Sequence, residues 1–166
     1  MIRRRRPKEG GAGAGRTRQK AAPQASGQGV LEALPNLQSE LKSVRTAIPE
    51  MTGGLVATTG GVVLAHDTDG LEPAGVAELT AAALNISARL AEATGQGTFL
   101  ELITRGERGY IATYAAGALV VLTLFAGPDA NLGLLNFEAR RVGTRIAAQT
   151  EALLRQSAMD DSKRGQ

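Results

Sequence analysis

The residues best suited to chemistry in this 166-residue chain are its single histidine and the carboxylate that follows it. His66 precedes Asp67, and an enzyme can use such a pair when the histidine acts as a general base. No candidate nucleophile and no second histidine stand near them in the sequence. We therefore expect His66 to end a strand and to bond backbone or water, and an enzyme built on these two residues is the less favoured alternative.

The acidic stretch 67–70, Asp-Thr-Asp-Gly, is similar to the opening of a calcium-binding loop. The next residues, Leu71 to Pro73, interrupt the ligand pattern, and no bidentate Glu stands at the required position. The chain has no cysteine and lacks the motifs GxxxxGK[ST], HExxH, GxSxG and CxxC. The sequence therefore predicts a protein with no catalytic site, no metal site and no cofactor.

The positive charge is concentrated at the start of the chain. Residues 1–20 contain eight Lys or Arg and one Glu, a net charge of +7, whereas the remainder has eleven basic and fifteen acidic residues, a net charge of −4. Residues 1–29 also hold almost no large apolar side chain, which predicts a disordered basic arm. Its basic cluster is a candidate contact for nucleic acid or anionic membrane, with a solubilising tail as the alternative; the cluster comprises Arg3, Arg4, Arg5, Arg6 and Lys8.

The remaining pattern predicts one α/β domain over residues 30–156, followed by a polar tail at 157–166. Helix signals cover about 36–48, 73–94 and 131–156, and a glycine turn at 59–61 indicates a hairpin within 53–67. Three further strands are expected at 98–105, 109–115 and 118–126, the last apolar on both faces and so central. No stretch is long enough to span a membrane, and no secretory signal opens the chain, so we expect a cytoplasmic protein.

The central helix, residues 73–94, has two apolar stripes at helical spacing. A helix that only covers a sheet needs one stripe. The first stripe contains the large residues, and it comprises Val76, Leu79, Ala83, Ile86, Leu90 and Ala93. The second stripe is nearly all small, which favours close approach of another backbone such as the same helix of a second copy; it comprises Ala77, Ala81, Leu84, Ala88 and Ala91. The alternative is that these alanines simply favour helix formation.

The polar residues of the same helix form a third stripe. Once both apolar stripes are buried, this stripe is what the helix still presents. It is therefore the candidate partner-binding surface, and it comprises Glu78, Asn85, Arg89 and Glu92.

Three segments taken together resemble the roadblock family, which is named for a dynein light chain. They are GGLVATTGGVVLAHD, LTAAALNISARLAEATGQG and GYIATYAAGALVVLTLFAGPDANLGLLNFEARRVGTRI, within about residues 37–154. The resemblance is closest to the small stand-alone bacterial members, which are often encoded beside a Ras-like GTPase. It implies a roadblock/profilin-like α/β (α+β) sandwich, in which a five-stranded antiparallel sheet carries the long helix on one face and the terminal helices on the other.

The resemblance also implies a function. Family members form homodimers, or heterodimers with another roadblock protein, in which the long helices pack together and the sheets join edge to edge. They have no active site of their own and act as scaffolds or regulators of small GTPases. We therefore expect a non-catalytic dimeric protein that binds a Ras-like small GTPase and modulates its nucleotide cycle. The alternative is a dimerising platform that presents the Arg-rich arms to nucleic acid or an anionic membrane.

Overall fold

A computed structural model describes residues 36–164, with side chains except at 157 and 160–164. The expected arm at 1–29 and the short segment up to residue 35 lie outside the described residues. The elements in chain order are α1 (Leu37–Ala47), β1 (Met51–Thr58), β2 (Val63–Thr68), α2 (Pro73–Ala93), β3 (Glu101–Gly106), β4 (Gly109–Ala115), β5 (Val120–Ala126) and α3 (Leu132–Arg164).

The five strands form one antiparallel sheet in the order β2-β1-β5-β4-β3. Strand β5 lies at its centre, and every residue of β5 is buried. This confirms the expectation of a central strand from its unbroken apolar run, because a strand covered on both faces has no need for alternating polarity.

The helices cover opposite faces of the sheet. Helices α1 and α3 pack with one face of the strands in the larger core, which includes Leu41, Leu122 and Ile146. Helix α2 packs on the other face in a smaller core around Leu55 and Phe125. The predicted fold class, a five-stranded sheet between a long helix and the two terminal helices, is confirmed. Among the described residues, no helix is both long and apolar enough to cross a membrane.

Two helix ends differ from the sequence prediction. The helix signal at 36–48 starts at Asn36, which lies at the N-cap of α1; its φ of 74° places it in the left-handed region, and its side chain makes no capping hydrogen bond. Helix α3 continues to Arg164 instead of ending near 156. The polarity of the tail suggested an early end, but the sequence contains no Gly or Pro between 144 and 164 to stop the helix.

The hairpin of β3 and β4 turns through two residues only, Glu107 and Arg108. The turn is possible because Gly109 has a φ of 146°, and a Cβ there would lie 2.1 Å from the carbonyl oxygen of Ala126. Strands β3 and β4 therefore pair without a break in register, from Gly106 opposite Gly109 to Glu101 opposite Tyr114.

Three ion pairs fasten the layer that holds α1 and α3. Arg145 of α3 donates two hydrogen bonds from Nε to the carboxylate of Glu40 in α1, at 3.0 and 3.1 Å. These hydrogen bonds raise the pKa of Arg145. The other two pairs join a helix to an edge strand, and they are Arg45 with Asp67 at 2.7 Å and Arg140 with Glu101 at 2.9 Å.

The buried hydroxyl of Thr123 gives a test of the packing beneath α2. Thr123 is fully buried in β5, and its Oγ1 has no hydrogen-bond partner among residues 36–164. Because an unsatisfied buried hydroxyl costs stability, we expect Thr123→Val to raise the free energy of unfolding by about 1 kcal/mol in a urea titration. The matched control is Thr150→Val, whose hydroxyl donates to the carbonyl of Ile146 at 2.8 Å and is not expected to stabilise when removed. A loss of stability at both positions would contradict the argument.

Candidate interaction surface

The first turn of α2 is fixed by the residue that precedes it. The Glu72 carboxylate accepts hydrogen bonds from the amides of Ala74 and Gly75, at 3.0 and 2.6 Å, and Pro73 occupies the first helical position. Both features favour a helix start here, because Pro fits the first turn of a helix and a carboxylate there is stabilised by the free amides. The cap sets where the helix begins.

The small stripe of α2 faces the chain's own sheet. Ala77, Ala81 and Leu84 are buried within the single chain, and Ala77 packs with Leu55 and Phe125. Ala88 and Ala91 continue the same side and are half-buried. The expectation that this stripe, Ala77, Ala81, Leu84, Ala88 and Ala91, would meet a second copy is corrected here, because its most buried members have almost no surface left to offer.

The large residues of the first stripe are on the outside instead. Leu79, Ile86 and Leu90 are 72, 67 and 62% exposed, although a side chain that only covered the sheet would be buried. Val76 and Ala83, on the flank of this stripe, are half-buried. Three large aliphatic side chains aligned on one helix face form an apolar surface of the kind that marks a protein–protein contact. We call Leu79, Ala83, Ile86 and Leu90 the outer apolar stripe.

The polar stripe lies beside the outer apolar stripe and is exposed at all four positions. Within residues 36–164, its charged members Glu78, Arg89 and Glu92 form no ion pair. Arg89 and Glu92, with Ile86 and Leu90, line a shallow groove of about 440 Å³. The structure therefore brings unpaired charge and exposed apolar surface together at the C-terminal half of α2.

Asn85 of the polar stripe has a contact within the chain. Its Nδ2 donates to the carbonyl of Thr59 in the turn between β1 and β2, at 3.4 Å. Gly61 of the same turn lies against Glu78, so closely that a Cβ on Gly61 would come within 3.0 Å of the Glu78 Cα. The turn thus supports the polar side of α2 and holds the helix in place on the sheet.

The side chains of His66 and Asp67 point away from each other. His66 and Asp67 are consecutive residues of β2, so their side chains lie on opposite faces of the sheet. His66 Nδ1 lies 3.2 Å from the Thr68 hydroxyl, while Asp67 pairs with Arg45 of α1. Among the described residues there is no group of acidic or histidine side chains that would hold a metal ion.

A second, smaller cavity of about 190 Å³ lies between β3, β4 and α3. The Tyr114 hydroxyl donates to Asn136 Oδ1 at 2.5 Å, and Arg140 forms a bidentate pair with Glu101. Burial raises the pKa of Tyr114 well above its ordinary value, and the Glu101 carboxylate adds to this effect. The hydroxyl therefore stays protonated at neutral pH, and the polar groups of this cavity bond to one another.

The described residues form a sandwich in which one helix keeps an exposed apolar face, a surface of the kind that a protein partner can cover. The family profile of the Roadblock/LC7 domain matches residues 37–126, which is more than half of the chain. The chain belongs to the roadblock/LC7 family, as the resemblance in the sequence indicated. No curated protein sequence matches it.

Solved structures support the same fold. An MglB with a tetrameric arrangement is 22% identical and has a TM-score of 0.62, over 78% of this chain and 93% of that chain. The gliding protein MglB from Thermus thermophilus is 23% identical with a TM-score of 0.60, over 80% of this chain and 94% of that one. Myxococcus xanthus MglB is 16% identical with a TM-score of 0.67, over 74 and 92% respectively. At these identities the similarity concerns the fold.

The turn beneath the polar stripe provides a test of this surface. Gly61 has a φ of 87° and is in tight contact with Glu78, so Gly61→Ala should lower the free energy of unfolding by about 1 kcal/mol or more. Gly60→Ala is the matched control, because a Cβ on Gly60 would meet only the Thr58 hydroxyl, at 3.6 Å. Thermal unfolding compares the stability of the two variants. Equal melting temperatures would contradict the tight contact between Gly61 and α2.

Proposed function

We infer that this chain is a non-catalytic dimeric regulator that binds a Ras-like small GTPase and modulates its nucleotide cycle. Membership of the roadblock/LC7 family supports the class of partner. The observation that carries the proposal is the outer side of α2, where exposed large aliphatic side chains run beside charges that have no ion-pair partner within the described residues. The outer apolar stripe is assigned to a second copy, and the polar stripe is assigned to the GTPase.

The outer apolar stripe is suited to pairing with itself. Its members are spaced by four, three and four residues, the spacing of a coiled-coil seam. The stripe is also complementary to the same stripe of a second copy that runs in the opposite direction. If two copies of α2 pack antiparallel, Leu79 of each meets Leu90 of the other and Ala83 meets Ile86, so that a large side chain faces a small one at the centre. A two-fold dimer requires such a self-complementary surface.

Two substitutions in this stripe should separate the dimer. Leu79→Glu with Ile86→Glu places charge in an apolar contact but is tolerated by the single chain, since both side chains are exposed there. We expect a monomer by light scattering with an unchanged circular dichroism spectrum. Phe137→Glu is the matched control, because Phe137 is equally exposed but lies on α3 in the opposite layer. A double variant with the mass of the unaltered protein would contradict the assignment.

The polar stripe is the proposed contact for the GTPase. Its four members, Glu78, Asn85, Arg89 and Glu92, remain on the outer surface when the outer apolar stripe is covered. Exposed charges of this kind contribute to association rate and specificity more than to raw affinity. The proposal concerns the surface of α2, so the binding is expected to persist in residues 30–166 alone.

Charge reversal tests this contact. Arg89→Glu with Glu92→Arg should weaken binding to the Ras-like GTPase recovered from native extract, while the dimer mass stays unchanged, because neither residue has an ion pair to lose within the described chain. We expect an affinity loss of about tenfold in a titration. Arg155→Glu with Glu151→Arg reverses an exposed pair on α3 and serves as the control.

An unchanged affinity in the α2 variant would remove the polar stripe from the contact. The same titration distinguishes the alternative function: binding of nucleic acid or anionic vesicles that disappears with residues 1–29, without any GTPase binding, would assign the function to the arm.

A further inference from the structure

The cavity between β3, β4 and α3 lies on the face of the sheet opposite α2, and no residue of α2 lines it. The buried residues Tyr114, Ala139 and Gly143 form its inner wall. Its lining also includes Leu100, which is 67% exposed, and Arg140, whose side chain is 60% exposed. The cavity of about 190 Å³ therefore opens to solvent on the side of Leu100 and Arg140.

Gly143 is the residue that leaves this space open. It is buried, yet a Cβ there would meet no atom of the described residues within 4 Å, apart from its own helix backbone and chain neighbours. Its φ is not positive, so neither a left-handed backbone nor the close approach of another segment requires glycine at this position. Glycine in a helix interior costs about 1 kcal/mol relative to alanine. The glycine therefore lowers the stability of α3 and keeps the cavity open.

The polar groups beside the cavity already have partners. The Tyr114 hydroxyl donates to Asn136, and Arg140 donates from Nε and Nη2 to the Glu101 carboxylate, at 2.9 Å in both hydrogen bonds. A charged guest would lose its hydration in the interior without gaining a hydrogen bond, which is unfavourable. Apolar cavities of about 150 Å³ in proteins bind benzene. The space beneath α3 thus suits one uncharged group of the size of a Phe or Leu side chain.

The mouth of the cavity favours a side chain of a protein over a free small molecule. Leu100 would stay exposed if a free molecule filled the interior, whereas a polypeptide that inserts one side chain also covers the surface around it. Nη1 of Arg140 makes no hydrogen bond within residues 36–164, so it can donate to a backbone carbonyl of that polypeptide. An apolar pocket with such a donor at its rim fits an anchor residue on a peptide segment.

We propose that this cavity is a docking site for one Phe or Leu side chain on a peptide segment of a protein partner. Gly143 provides the space for the side chain, and Arg140 Nη1 binds the backbone of the segment. The site goes beyond the proposed function, because it lies on the face of the sheet opposite the two stripes of α2. The chain can therefore hold a further protein here while α2 contacts a second copy and the GTPase.

The probe for this site is N-acetyl-phenylalanine amide, which combines one aromatic ring with backbone amide groups. It is titrated into the isotope-labelled full chain and followed by NMR. We expect a dissociation constant of about 1 mM, with chemical-shift changes centred on the amides of Ala115, Ala139 and Gly143. N-acetyl-alanine amide keeps the backbone groups but lacks the ring, and it should bind about tenfold more weakly.

Two substitutions at residue 143 form a matched pair. Gly143→Ala and Gly143→Leu both remove the helix glycine, but only the leucine fills the cavity. Gly143→Ala should raise the melting temperature and keep most of the affinity, whereas Gly143→Leu should abolish binding of the probe and leave the dimer mass unchanged. Leu100→Asp tests the mouth without disturbing the fold, because Leu100 is exposed, and it should weaken binding about fivefold.

The source of the apolar group is tested with Arg140→Lys and with toluene, which has the ring but no backbone groups. Arg140→Lys keeps a positive charge beside Glu101 but removes Nη1, so it should weaken binding of N-acetyl-phenylalanine amide and leave binding of toluene unchanged. If toluene binds as tightly as the amide and Arg140→Lys changes neither affinity, the cavity takes a free apolar molecule and the protein partner is overturned.

Other outcomes would overturn the site itself. If the unaltered chain binds neither probe, or if Gly143→Leu binds the amide as tightly as Gly143→Ala, the cavity is only a gap in the packing. These titrations do not involve the surface of α2, so a failure here leaves the proposed GTPase contact standing, and a failure of that contact leaves this site standing.

Discussion

The distance between α2 and the sheet is the constraint on which the rest of this molecule depends. The strands beneath the helix contribute Leu55 and Phe125 beside the smaller Ala57, and the helix meets them with Ala77. Interiors are packed to a uniform density, and a large residue on one surface needs a small one on the other. The large aliphatic residues of α2 are left on the outside, where covering each one would contribute about 1.5–3 kcal/mol. Close packing within the chain thus creates the surface that a partner can cover.

The layer that contains α1 and α3 is stabilised by ion pairs as well as by apolar packing. Glu40 with Arg145 joins α1 to α3, and Glu101 with Arg140 joins α3 to the edge of the sheet. The carboxylates of these pairs are mostly shielded from solvent, so their attraction is screened less than that of a fully exposed pair. On α2 the described residues form no such pairs, and its charges stay available. The layer of α1 and α3 is closed because its sequence contains charges of opposite sign that meet, whereas the charges of α2 meet no opposite charge among the described residues.

Much of the fold could be predicted from the sequence because several signals agreed at each element. The apolar run of β5 indicated its central place, and the glycine turn at 59–61 indicated the hairpin of β1 and β2. The choice between the two stripes of α2 was wrong, since periodicity identifies faces but not which face meets the sheet. The strands did not settle the choice, because the α2 face of β1 and β5 mixes large residues, such as Leu55 and Phe125, with the small Ala57. The end of α3 could not be predicted from polar composition alone, because a polar segment without Gly or Pro can continue a helix.

The edge strand β3 and the outer apolar stripe of α2 restrict the assemblies that are compatible with this fold. An unpaired edge strand invites unlimited association when its pairing can repeat, but a two-fold pairing uses each edge once and closes. At the other edge, Gln38 of α1 donates a hydrogen bond to the His66 carbonyl of β2. A two-fold contact through the outer apolar stripe would leave the polar stripes of both α2 helices on the outer surface. In such an assembly, the same helix that completes the dimer also presents the surface proposed for the GTPase.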